Sequence, residues 1–134
     1  MQPAAILETA LYATDLAAAE AFYSGVLGLP VIGRAKGRHV FFRVGAGILL
    51  IFNPAATEVP GTAPALPIPA HGARGPGHLC FAASRDEIDR WRERLTAARI
   101  PVEAEVDWPG GGRSLYFRDP AGNSLEFAEP RIWD

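Results

Sequence analysis

The chain has 134 residues, a formal net charge of −2 and a single cysteine, Cys80. Its length suits one compact domain that buries most of its apolar surface without disulfides. One lysine, Lys36, and scattered arginines provide no polybasic stripe for nucleic acid or anionic lipid. There is no basic stretch before Arg34 and no run of ~20 apolar residues, so neither a secretory leader nor a membrane span is expected. A cytoplasmic protein is the expectation, and an unpaired Cys80 agrees with a reducing compartment.

Ile6 to Thr14 reads as a strand ending in Thr14-Asp15, a good helix N-cap pair. Ala19, Phe22, Tyr23, Val26 and Leu27 then recur near the helical period, and Gly28 stands where a left-handed C-terminal cap is expected. Strands are predicted over 29–33, 38–44 and 48–53, separated by Gly37 and by Gly45-Ala46-Gly47. From Asn53 to Gly77, six prolines (Pro54, Pro60, Pro64, Pro67, Pro69, Pro76) disfavour a central strand or a helix interior, which predicts a connector over 55–76.

The same order then returns. His78 to Ala83 reads as a strand, and Ser84-Arg85-Asp86-Glu87 as a capping box. Ile88, Trp91, Leu95 and Ala98 form an apolar stripe ended before Pro101, and strands follow near 102–106, 113–118 and 123–128. Asp119-Pro120-Ala121-Gly122-Asn123 supplies a turn. The chain thus repeats a βαβββ unit, as module one (1–54) and module two (77–134) of a single 1–134 domain whose halves share a core.

Aligned on the repeat, Glu8 and His78 occupy one place, and Glu126 in the last strand matches Leu50, or Leu49 if the register slips by one. If the modules pair about a pseudo-twofold axis, Glu8, His78 and Glu126 converge in one cleft. One imidazole and two carboxylates suit a divalent cation and leave positions open for water or a chelating substrate. Ligand type alone leaves Mn, Fe, Ni, Co and Zn all open. Cys80 lies two residues beyond His78 on the same face, and Leu50 makes the matching corner apolar. Arg113, Arg38 and Trp108 are the residues read as able to hold or border a substrate, by charge-assisted bonds or at a pocket mouth. His71, in the connector, is a possible lid residue.

Leu11-Tyr12-Ala13-Thr14-Asp15-Leu16 with Phe22-Tyr23 and Val26-Leu27-Gly28-Leu29, then Gly77-His78-Leu79-Cys80-Phe81, then Tyr116 through Glu126, together resemble the vicinal oxygen chelate superfamily. That superfamily holds glyoxalases, epimerases, extradiol dioxygenases, fosfomycin resistance enzymes and bleomycin resistance proteins. The resemblance implies an α+β fold in which two βαβββ modules form an open, barrel-like mixed sheet with helices outside. It implies a divalent metal at Glu8, His78 and Glu126, a small-molecule substrate and a homodimer.

The reaction implied first is of glyoxalase type, a lyase or isomerase abstracting a proton beside a carbonyl on a substrate with adjacent oxygens, with Glu126 or Glu8 as base. Extradiol ring cleavage is the second, and metal-free ligand binding of the bleomycin-resistance kind the third. Two departures stand out. Dioxygenases and fosfomycin enzymes usually have a histidine where this chain has Glu8, and glyoxalase I and the epimerase a Glu or Gln where it has Leu50.

Overall fold

Residues 1–60 and 66–134 are described by the structure, a computed structural model, and they separate into two compact units, Met1–Gly75 and Pro76–Asp134. Each unit is a four-stranded mixed sheet with a helix on one face, and the fold is α+β.

In the first unit, strands β1 (Glu8–Tyr12), β2 (Val31–Ala35), β3 (His39–Val44) and β4 (Gly47–Phe52) lie in the order β1-β4-β3-β2, with β1 and β4 parallel. Helix α1 (Leu16–Glu20) starts where Asp15 accepts the Ala18 amide at 2.9 Å, and it continues as a π-helical stretch, Ala21–Val26. Gly28 adopts φ 73°, a left-handed position that glycine occupies without steric cost and that lets the chain leave the helix. Leu11, Val40, Phe42, Leu49 and Ile51 are buried on the helix side, where the Phe42 ring lies 5.4 Å from that of Tyr23.

The second unit repeats this arrangement with β5 (His78–Ala82), α3 (Arg85–Ala97), β6 (Ala104–Asp107), β7 (Arg113–Arg118) and β8 (Ser124–Ala128), in the sheet order β5-β8-β7-β6. Leu115, Phe117, Leu125 and Phe127 are buried on its helix side, and Trp91 of α3 stacks on Phe127 at 4.5 Å. The capping box is complete. The Glu87 amide donates to Ser84 Oγ at 3.3 Å, and the Ser84 amide donates to Glu87 Oε2 at 2.7 Å.

Ser84 holds the Glu87 carboxyl below its usual range, through its amide first and its hydroxyl second. A depressed carboxylate stabilises the fold above its unfolded pKa, and that contribution is lost as pH falls through the lowered value. Ser84→Ala is expected to cost about 1 kcal/mol in urea unfolding at neutral pH.

The connector expected over 55–76 is built into the first unit as far as Gly75. Pro54 occupies the first turn of a short helix, α2 (Pro54–Thr57), where its missing N–H leaves no helical bond unmade. The His71 amide donates to the Thr57 carbonyl at 2.9 Å, and Arg74 grips Glu58 through two bonds at 2.9 and 2.8 Å. Pro64 and the rest of 61–65 lie outside the described residues.

Strand registers coincide between the units. Glu8, Ile48 and Arg43 share a rung, as do Ala10, Leu50 and Phe41, and then Tyr12, Phe52 and His39. The second unit matches them with His78, Ser124 and Arg118, with Cys80, Glu126 and Tyr116, and with Ala82, Ala128 and Ser114. Side chains alternate along a strand, so these rungs all project from the sheet faces away from the helices. Leu50, and not Leu49, is therefore the counterpart of Glu126.

Candidate functional site

His78 and Glu126 meet on the helix-free face of the second unit, with Nε2 of the imidazole 3.3 Å from Oε2 of the carboxylate. The opposite ring nitrogen, Nδ1, lies 3.0 Å from the Ser124 carbonyl oxygen. A carbonyl can only accept, so Nδ1 carries the proton, and in the neutral ring Nε2 presents a bare lone pair. Two acceptors facing each other at that distance require a cation between them, either a proton or a metal ion. Anchoring one imidazole nitrogen to a backbone carbonyl while the other is offered to a ligand is a common way of orienting a metal-binding histidine.

Glu126 adds a second sign of an incomplete site. It is 5% exposed, and its Oε1 atom is buried without a hydrogen-bond partner. A buried carboxylate oxygen in that condition is costly unless something else satisfies it. Its rung neighbours respond to it. Burial first, and then the Glu126 carboxylate, push the Cys80 thiol up to about 12, so Cys80 lines the site as a neutral group. Tyr116, whose ring stacks 6.3 Å from that of His78, has its phenol raised by burial and next by Glu126. Trp108 donates its indole N–H to Ser114 Oγ at 2.8 Å, and Ser114 lies on the rung beyond Tyr116.

Glu8 begins β1 on the matching rung of the first unit and is exposed, and its carboxylate makes no hydrogen bond or ion pair among the described residues. Leu50 sits where Glu126 has its counterpart, beside Phe41. The two arginines singled out from the sequence are held elsewhere. Arg113 is 9% exposed and bonds Asp89 of α3 at 2.8 Å and Glu105 of β6 at 2.9 Å, which commits its guanidinium to the helix side. Arg38 donates to the Ala56 carbonyl at 3.0 Å and so ties β3 to α2.

The first unit's face is aromatic where the second's is ionic. The His39 ring stacks on Phe41 with centroids 3.9 Å apart, and Phe41 and Phe52 lie 5.3 Å apart edge to face. His71 joins them, its ring 4.7 Å from Phe52 and its Nδ1 2.7 Å from the Tyr12 hydroxyl. Tyr116 and Tyr12 have no place in the sequence reading of the site, whereas His71, read there as a lid residue, packs on the first unit's aromatic face. Strand alternation from His78 and Glu126 is the signal that finds Tyr116, whereas nothing local reveals a histidine 59 positions from its tyrosine partner.

Among the described residues no three His, Cys, Asp or Glu side chains of one chain assemble into a metal-holding group. None of the described helices is long and apolar enough to cross a membrane.

Comparison with known proteins accords with this architecture. The Glyoxalase/Bleomycin resistance protein/Dioxygenase superfamily profile matches residues 5–127. The crystal structure of lactoylglutathione lyase from Agrobacterium tumefaciens is 49% identical with a TM-score of 0.94, over 99% of this chain and 98% of that one. A glyoxalase/bleomycin resistance protein/dioxygenase from Nocardioides is 25% identical with a TM-score of 0.73, over 96% and 85% of the two chains. An integron cassette protein from the Halifax Harbour sewage outfall metagenome is 22% identical with a TM-score of 0.74, over 95% and 99%, and shares the fold. No protein of curated function matches the chain.

Proposed function

The chain belongs to the Glyoxalase/Bleomycin resistance protein/Dioxygenase superfamily, and from that membership we propose that it is a metal-dependent small-molecule enzyme of glyoxalase type. The observation that carries this reading is the His78–Glu126 pair, an oriented imidazole nitrogen facing a buried carboxylate that still has one unsatisfied oxygen. The donor set fits a divalent cation of the Mn, Fe, Ni, Co or Zn kind. His78 and Glu126 are its proposed ligands, with Glu8, the register counterpart of His78, as the third. When bound, such an ion supplies Lewis-acid stabilisation of negative charge on adjacent substrate oxygens.

The chain's own residues account for the remaining steps. Ser124 fixes the His78 tautomer through its carbonyl. Glu126 Oε2 faces the imidazole, which leaves Oε1 to accept a proton from the carbon beside the substrate carbonyl and to return it to the former carbonyl carbon, while the hydroxyl proton of the first carbon passes to the former carbonyl oxygen. Cys80, Leu50 and Trp108 are proposed to border the substrate, the first two by their rung positions and the indole by its bond to Ser114. The 49% identical lactoylglutathione lyase supports a hemithioacetal as the first substrate to test.

We also propose a cytoplasmic homodimer. Ile6 and Leu7 are 82% and 73% exposed ahead of β1, an edge strand, and Trp133 is 88% exposed. Apolar exposure beside an unpaired strand edge is a common mark of association.

The deciding experiment is elemental analysis of protein purified without chelator, followed by assays on hemithioacetals, catechols and fosfomycin. About one divalent ion per site and isomerisation of a hemithioacetal are expected. Oxygen uptake with catechols in its place would move the assignment to ring cleavage. A protein without stoichiometric metal would fall to the ligand-binding reading, which the aromatic face of the first unit favours.

A further inference from the structure

We propose that the helix-free face of the first unit is a binding site for an amphipathic organic anion, an aromatic or aliphatic body bearing a carboxylate, with Arg43 as its charge anchor. Alternation along β3 puts His39, Phe41 and Arg43 on that face in succession. Phe41 shares its rung with Leu50 and packs edge to face on Phe52, so an apolar strip runs along the sheet and ends at a guanidinium.

The condition of that guanidinium sets it apart. Three of the four arginines in the first unit are committed, Arg34 to Glu20, Arg38 to the Ala56 carbonyl and Arg74 to Glu58. The Arg43 side chain is exposed and makes no hydrogen bond or ion pair among the described residues, while its backbone amide donates to the Pro30 carbonyl at 2.9 Å. Glu8 lies on its rung two strands away, roughly 10 Å by strand spacing, and forms no ion pair with it among the described residues.

Arg118 holds the equivalent rung in the second unit, and there Glu103 binds it through two bonds at 2.6 and 2.9 Å while the Gly122 carbonyl accepts a third at 3.0 Å. The same position is thus closed in one half and open in the other. His39 does not compete as an anchor, because burial and then the nearby Arg38 charge lower its pKa and keep it neutral.

A planar guanidinium bonds a carboxylate through two parallel N–H donors, and apolar neighbours reduce the screening of that pair by water. An anion whose apolar body lies along Phe41 and Leu50 satisfies both features. The site shares Leu50 with the substrate border proposed above but requires no metal, so chelator-treated protein tests it apart from the His78–Glu126 reading.

The test uses chelator-treated full-length protein titrated with 2-naphthoate and with neutral 2-naphthamide. Wild type is expected to bind the carboxylate about 10-fold more tightly than the amide. Arg43→Gln should bring the two ligands to within about 2-fold while leaving amide affinity unchanged, and Arg43→Lys should keep part of the preference. Phe41→Leu should weaken both ligands, and Arg118→Gln should alter neither. Failure of wild type to bind either ligand, equal affinity for both, a preference that survives Arg43→Gln, or one lost equally in Arg118→Gln would each overturn the proposal.

Discussion

Glu126→Gln is expected to lower kcat/KM by about three orders of magnitude on the substrate the enzyme turns over, the usual range for removing a general base. The amide preserves the shape of the side chain in its buried position and removes both the proton acceptor and a negative ligand. Elemental analysis then separates two causes. A variant that keeps its metal but loses kcat identifies Glu126 as the base, and one that loses the metal identifies it chiefly as a ligand. Thermal unfolding should change little or rise, because the substitution removes a buried charge with one oxygen unsatisfied. Activity within 3-fold of wild type on a substrate that wild type isomerises would remove Glu126 from the mechanism.

Phe117→Ala is expected to destabilise the protein by about 4 kcal/mol, enough to leave little folded margin in a chain of this size. Phe117 is fully buried in β7, and its ring stacks 5.2 Å from Phe127, which Trp91 of α3 covers on its own account. Truncation opens a cavity between sheet and helix that rigid neighbours cannot fill. Phe117→Leu keeps most of the volume and should cost no more than about 1.5 kcal/mol. Urea unfolding reads both: the midpoint should fall with the slope unchanged if the denatured state is unaffected. Equal losses for the two variants would show that ring stacking, and not cavity volume, sets the cost.

Where a residue's environment is local, the sequence was readable. The Ser84–Glu87 box and the Gly28 cap need only three or four neighbours, and both form as expected. The repeat was readable because each half spells the same strand and helix pattern, although β2 starts two residues later than predicted, at Val31, and β6 begins at Ala104 and not at 102. Long-range commitments were not readable. Arg113 and Arg38 read as free cations because their partners Asp89, Glu105 and Ala56 lie 24, 8 and 18 positions away, whereas the uncommitted side chain of Arg43 has no local signature. The proline-rich stretch read as a spacer, and its binding to the first unit depends on Thr57–His71 and Glu58–Arg74 contacts that no periodicity announces. For the site, sequence supplied His78 and Glu126, while the Ser124 carbonyl that orients the imidazole is a backbone atom and has no sequence signature.

The coincidence of rungs in the two sheets has a consequence for how such a protein diversifies. Leu50 and Glu126, or Phe41 and Tyr116, hold interchangeable berths on near-duplicate frames, so chemistry can migrate from one half to the other by substitution alone, without insertion or backbone rearrangement. A duplicated frame of this kind keeps a greasy surface and an ionic one within a single short chain, and either can be rewritten while its twin preserves the original.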